Sequence, residues 1–179
     1  MLAGCTFKGV PDPEVSARDR EWMALVPQAD VSPEYGRYLI DDPTGEPPGT
    51  IVVDQKAKFL YFVLPDRKAI RYGVAVGDEA YGWTGTAVVA RKAEWPGWTP
   101  PPQMRKRVPD LPAYMPGGPD NPLGARALYI GSTLYRVHGT SEPRSIGLAV
   151  SSGCIRLTNE DVQDLYDRVA VGAQIVVNH

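Results

Sequence analysis

The sequence predicts a mainly β fold: an antiparallel sandwich or barrel-like domain with one or two short helices and one long Pro/Gly/Trp-rich loop. Three observations point there. Short runs of β-branched and aromatic residues recur at the spacing of a meander, with turn residues between them. Only one stretch beyond residue 50 carries a convincing helical period. Proline, at 18 of 179 residues, is about twice its usual share of roughly 5%, which favours rigid turns and extended loops and argues against an all-helical chain.

Residues 1–48 hold scattered charges and prolines, a short helical stretch around residues 15–25, and the turn-rich run Asp41-Asp42-Pro43-Thr44-Gly45-Glu46-Pro47-Pro48. They are expected to form an arm or linker. From Gly49 the character changes, and residues 50–54, 59–64 and 70–76 read as successive strands, with 55–58 and 65–68 as turns. Residues 86–90 continue the pattern. Residues 94–123 then form a loop dense in Pro, Gly and Trp, far longer than the ordinary connection of about 4 to 6 residues. Its Trp95, Trp98, Tyr114 and Met115 are candidates either to cover a cleft or to pack as a satellite cluster beneath the loop. Residues 127–130 and 134–137 read as two more strands, the second running into His138-Gly139-Thr140. Val162, Leu165, Tyr166 and Val169 then fall on one face of a helix, behind a capping-box-like pairing of Thr158 with Asp161. Gly172 ends that helix, and residues 174–177 form a last strand. Residues 49–179 are therefore expected to be a single domain, since the chain has length for one core but not two.

The charge balance, 19 basic against 21 acidic residues for a net −2, supplies no electrostatic reason to expect nucleic acid as a partner. The short cluster Arg105, Lys106, Arg107 reads as a solvated loop face. No run of about 18 apolar residues is present, so no segment reads as a membrane-spanning helix. Of the two cysteines, Cys5 follows Leu2, Ala3 and Gly4, which resembles the lipobox at which bacterial lipoproteins are cleaved and lipidated. The basic and apolar regions of an export signal do not stand upstream, so the expectation is a trimmed or late-started leader, with an ordinary terminal tail as the alternative. A bridge between Cys5 and Cys154 is a further alternative, though an odd staple from a loose tail. Zinc is a poor explanation for two cysteines and two histidines without a close-spaced ligand pair, His179 being the last residue.

The segment Val150-Ser151-Ser152-Gly153-Cys154-Ile155-Arg156-Leu157 sets a cysteine after a small, flexible approach and just ahead of a helix start. Glycine leaves backbone N–H groups free to face an incoming carbonyl, the way an oxyanion hole is made, and a helix-terminal dipole favours thiolate. His138, at a strand end and followed by Gly139, can stand beside such a thiol uncrowded. The two make a plausible nucleophile and base. Neither residue alone identifies a site, because lone cysteines are commonly structural and lone histidines commonly just hydrogen-bonded.

Taken jointly and in order, Val137-His138-Gly139-Thr140, Ile146-Gly147 and Ser151-Ser152-Gly153-Cys154-Ile155-Arg156-Leu157 resemble the signature of the YkuD-type L,D-transpeptidase family. In that signature a histidine precedes a Ser-His-Gly-Cys-x-Arg motif by a short interval. Residues 117–129 resemble the segment that enters the family's active-site strand, and Trp95-Pro96-Gly97-Trp98-Thr99-Pro100-Pro101 resembles its loop. The resemblance covers residues 49–178 and implies a YkuD-type fold with that loop over the cleft.

It also implies a reaction. Cys154 would attack the carbonyl before the D-Ala at position four of a peptidoglycan stem tetrapeptide, leaving a thioester that an amine from a second stem peptide resolves. His138 would move the protons, the Gly139 carbonyl would orient its ring, and the N–H groups of Gly153 and Cys154 would receive the oxyanion. Each such donor is typically worth roughly 2.7 to 4 kcal/mol. Arg156 would anchor a substrate carboxylate or brace the site from behind, and Ser151 and Tyr129 would contribute to substrate binding. No cofactor or metal is implied. An amine-bearing protein or a D-amino acid is an alternative acceptor, and carbapenems are expected inhibitors. The departure from the pattern is Ser152, where the family usually has histidine; its hydroxyl keeps a hydrogen-bond donor near the thiol but leaves His138 as the sole candidate base. The rivals are an L,D-carboxypeptidase or a peptidoglycan–protein amidase on the same scaffold, and an inactive peptidoglycan-binding module. The substrate implies a periplasmic or cell-envelope location, with Cys5 as a lipid anchor.

Overall fold

A computed structural model describes residues 8–78 and 82–179 of the chain. Cys5 and its Leu2-Ala3-Gly4 approach lie outside these residues. The centre is the expected meander, β3 (Ile51–Asp54), β4 (Phe59–Leu64) and β5 (Lys68–Gly73), paired antiparallel. Its register sets Ile51, Phe62 and Ile70 abreast and Val53, Leu60 and Tyr72 abreast, so strand alternation sends all six to one buried face. The tight three-residue β4–β5 turn, Pro65-Asp66-Arg67, holds Asp66 and Arg67 at φ of 60° and 54°, left-handed backbone of the kind that hairpin turns use.

The arm or linker expected over residues 1–48 is, from Lys8 onward, part of the fold. Strand β1 (Lys8–Gly9) pairs with β2 (Tyr38–Asp41), and β2 extends the sheet along β5. Helix α1 (Ala17–Leu25) falls within the predicted stretch, closed by a capping box between Ser16 and Asp19. Asp19 is buried and accepts both guanidinium N–H arms of Arg126, at 3.0 and 2.9 Å, together with the Trp95 indole N–H at 2.7 Å. Arg37, also buried, ties the same segment to Asp161 at 2.8 Å. Long-range charge pairs incorporate this segment, and such pairs leave no periodic trace in a local sequence window.

Short β6 (Val76–Gly77) is followed by β7 (Gly85–Glu94), β8 (Arg126–Ile130) and β9 (Arg136–His138), which make a second antiparallel run. Helix α2 (Pro102–Arg107) lies in the long loop between β7 and β8. After β10 (Ala149–Ser151) and β11 (Ile155–Arg156) come α3 (Asn159–Arg168) and the terminal β12 (Gln174–Asn178). The ten-stranded sheet runs β1-β2-β5-β4-β3-β12-β7-β8-β9-β11, with β12 parallel to β3 and β11 parallel to β9. The second sheet is the parallel pair β10-β6. The consecutive hairpins are antiparallel, whereas β12, returning from the far end of the chain, is parallel to β3 on one side and antiparallel to β7 on the other.

At the far edge, Ala75 exchanges two backbone hydrogen bonds of 2.9 Å with Arg156. That bridge joins the segment after β5 to β11 and curls the sheet toward a barrel around one apolar core, which α3 covers with Val162 and Leu165. Leu134, expected inside a strand, precedes β9 and is 80% exposed. Among the described residues no helix is long and apolar enough to cross a membrane.

Candidate active site

Parallel pairing of β9 with β11 puts Val137 beside Ile155 and His138 beside Arg156. Val137 and Ile155 are buried in the core, so alternation turns Arg136, His138, Cys154 and Arg156 to the opposite face. There they line one cleft of about 260 Å³, with Ser151 and Ser152. Helix α2 and Trp98 form its other wall.

The loop before the cysteine is held rigidly. Ser151 Oγ donates to the Cys154 carbonyl at 2.5 Å and accepts the Gly153 N–H at 3.2 Å. Gly153 sits at φ 111°, where a side chain would be strained. It also packs against β6 so closely that a Cβ on Gly77 would stand 2.7 Å from Gly153 Cα. Ser151 therefore spends its hydroxyl on the loop rather than facing a ligand with it. The Gly153 N–H, expected as an oxyanion donor, is given to Ser151, whereas the Cys154 N–H has no acceptor among the described residues. Ser152 is exposed on the cleft wall. Helix α3 does not begin at the cysteine: β11 intervenes, and its first turn is capped by Thr158 Oγ1, which accepts the Asp161 N–H at 3.2 Å.

His138 is buried, with Nδ1 2.5 Å from the Gly139 carbonyl. A carbonyl only accepts, so Nδ1 carries the proton and Nε2 is the free acceptor of the neutral ring. Burial, then the positive charges of Arg156 and Arg136, push the ring down to about 3, while the Gly139 and Leu123 carbonyls pull the other way. The imidazole is thus neutral at ordinary pH.

Asn159, the first residue of α3, fixes the carbonyl that orients the ring. Its Oδ1 accepts the N–H groups of Ala125 at 3.0 Å and Thr140 at 3.2 Å, and its Nδ2 donates to the Thr140 carbonyl at 3.1 Å. Gly139 lies so tightly against Asn159 Oδ1 that no Cβ fits there. Sequence reading missed this residue because an asparagine after an N-cap looks like ordinary helix-start chemistry. It missed Arg136 too, although period-two alternation back from His138 would have found it.

Arg156 lines the cleft, pairs with Glu142 at 3.3 Å and bonds through its backbone to Ala75, so it serves both cleft and barrel closure. Tyr129 is not part of the cleft lining; it lies opposite Arg136 in register, with the Arg91 and Arg136 guanidinium carbons 3.6 and 5.2 Å from its ring centre. The long loop does both things its composition allowed. Trp95 packs edge-on against Trp22 at 5.1 Å and bonds Asp19, away from the cleft. Trp98 is tied to Met115 by two backbone bonds of 2.8 Å and faces the cleft, as does Arg107 of the basic cluster, while Tyr114 is exposed.

The family model of the L,D-transpeptidase catalytic domain, YkuD, matches residues 48–177. The chain belongs to the L,D-transpeptidase family. Probable L,D-transpeptidase ErfK/SrfK of Escherichia coli K12 is 43% identical over 136 residues, which are 71% of this chain and 43% of that protein. Probable L,D-transpeptidase YbiS of the same organism is 38% identical over 135 residues, again 71% of this chain and 43% of the relative. The chain thus spans less than half the length of these curated relatives. Among solved structures, one from Brucella melitensis described as a probable carnitine operon oxidoreductase is 44% identical. Its TM-score is 0.56 over 83% of this chain and 96% of that one, and the description belongs to that protein. L,D-transpeptidase 3 from Mycobacterium tuberculosis, in complex with a faropenem-derived adduct, shares the fold at 18% identity. Its TM-score is 0.57 over 73% of this chain and 60% of that one.

Proposed function

We propose that this L,D-transpeptidase domain acts on peptidoglycan stem peptides with Cys154 as nucleophile and His138 as base. The observation that carries the reading is the β9–β11 pairing, which sets a free cysteine and a neutral, oriented histidine on the wall of one cleft. In the acylation step Cys154 Sγ bonds to the carbonyl carbon before the D-Ala at position four, and the thiol proton passes to His138 Nε2. The C–N bond to D-Ala breaks as that proton goes to the leaving amine, and a thioester remains. An acceptor amine then bonds to the same carbon, gives a proton to His138, and Cys154 leaves to regain it. The Cys154 N–H, which has no acceptor among the described residues, is the donor for the oxyanion formed in both steps.

The acceptor is a second stem peptide, with an amine-bearing protein or a D-amino acid as variants of the same chemistry. A β-lactam would acylate the same sulfur, as the faropenem-derived adduct on the Mycobacterium tuberculosis relative suggests. The substrate places the working protein in the periplasm or cell envelope, anchored through lipid on Cys5; finding a residue upstream of Cys5 in the native mature protein would remove the anchor.

The deciding experiment incubates the protein with a defined disaccharide-tetrapeptide and reads products by mass spectrometry. Crosslinked dimer, lost in Cys154→Ala, is the expected result. Simple loss of D-Ala without dimer would make it a carboxypeptidase. No product and no carbapenem adduct on folded protein would overturn the catalytic reading.

A further inference from the structure

The cleft around Cys154 carries charge of one sign. Arg107 lines it from α2, Arg136 from β9 and Arg156 from β11, and no aspartate or glutamate is among its lining residues. The chain as a whole has more acidic than basic residues, so this concentration is local.

The three arginines are not equivalent. Arg156 already has Glu142 at 3.3 Å. Arg136 and Arg107 have no carboxylate partner among the described residues. The Nε of Arg136 is shut off from solvent without a hydrogen-bond acceptor, a situation that costs free energy and is rare in folded proteins. Its side chain is nonetheless held in place, the guanidinium lying over the register-paired Tyr129 ring. A planar, pre-positioned guanidinium on the cleft wall with no carboxylate paired to it among the described residues is complementary to a ligand carboxylate, which accepts two parallel N–H bonds.

We propose that Arg136 and Arg107 form an anion subsite that selects donor peptides bearing a free carboxylate on a residue preceding the scissile bond, over the same peptides with that group amidated. This rests on the peptide-donor reading above and adds the chemical class of donor. Arg136 and Arg156 are also the charges that lower the proton affinity of His138. A carboxylate seated on the subsite offsets that field, so the donor strengthens the base it is about to use.

The test uses the whole chain and two synthetic tetrapeptide donors that differ only in a carboxylate or a carboxamide on the residue before the scissile bond. For the unaltered protein, kcat/KM should favour the free acid by about tenfold or more, mostly through KM, as a charge-assisted hydrogen bond of ~1.5 to 3 kcal/mol predicts. In Arg136→Gln the ratio should fall toward one. Arg107→Gln, on an exposed residue of α2, should shrink the ratio without threatening the fold. Equal use of both donors by the unaltered protein, or a ratio that survives in both variants, overturns the subsite. If neither donor acylates a Cys154 that still reacts with iodoacetamide, the catalytic reading has failed instead. Calorimetric binding of the two peptides to Cys154→Ala then decides the subsite by itself: tighter binding of the acid sustains it, equal binding ends it.

Discussion

Two buried polar constructions flank β8, and they solve opposite problems. On the cleft side, Asn159 holds Gly124–Ala125 against Gly139–Thr140 with neutral amide hydrogen bonds, and those in turn seat a neutral imidazole. By contrast, α1 is docked by an ion pair, Asp19 being gripped by Arg126 and Trp95, and the stretch just before β2 is tied down by Arg37, which reaches Asp161. Burial alone would raise the Asp19 carboxyl, but hydrogen bonds from Arg126, Trp95 and Ser16 hold it well below the usual carboxylate range. Burial pushes Asp161 up to about 7, with Arg37 pulling it back. The contrast teaches that charge is used here to attach a segment, whereas the proposed base, His138, is positioned by backbone and amide groups that carry no net charge.

Four measurements break or sharpen that contrast. The largest effect belongs to the cleft: His138→Ala should slow Cys154 acylation by about 10² to 10⁴-fold, read as thioester by mass spectrometry, with little change in melting temperature. Full acylation by that variant would remove His138 as base. Next comes the clamp, where Asp19→Ala leaves Arg126 uncompensated and should cost about 3 to 5 kcal/mol in urea unfolding. The fraction still folded should acylate normally; a matched loss of rate would mean the clamp also shapes the site.

Asn159→Ala strands the Ala125 and Thr140 N–H groups, and about 1 to 3 kcal/mol of stability should go with it. Unlike the clamp variant, it should also lower kcat with KM nearly unchanged, because in the proposed mechanism the ring it orients acts in the chemical step. A fall in stability alone would make Asn159 purely structural.

The smallest effect is with pH. His138 takes a proton at about 6.5 unfolded but only at about 3 folded. Between those values the unfolded chain binds the extra proton, so stability rises with pH there; the contribution is complete above 6.5 and is lost as pH falls toward 3. Between pH 7 and 5.5 this amounts to ~1 kcal/mol. Removing the imidazole in His138→Gln should subtract this rise and leave the opposing fall that Asp161, raised to about 7, contributes over the same range; a curve unchanged in that variant would mean the imidazole is not held neutral.

The meander was legible because residues 50–54, 59–64 and 70–76 are short runs rich in β-branched and aromatic residues set apart by turn residues, a local signal. Helix α3 was legible for the same kind of reason, through Val162 and Leu165. β1, β2, β10 and β11 were not, since these strands of two to four residues are not bracketed by turn residues at hairpin spacing and take their partners from distant parts of the chain. Cys154 and His138 stood out through chemistry and motif. Arg136 and Asn159 did not: the importance of each depends on which strand or loop lies against it.

By itself, then, the sequence determined the two strand runs, the closing helix and the candidate nucleophile and base, because apolar period and motif are properties of adjacent residues. Only the tertiary structure decided that residues from Lys8 onward join the sheet and that Ser151 braces the loop instead of facing a ligand. It also decided that the Gly153 N–H is already used and that Arg107 and Arg136 share a cleft with Cys154. Those outcomes depend on hydrogen bonds, ion pairs and close approaches between residues far apart in the chain, where a local window carries no signal.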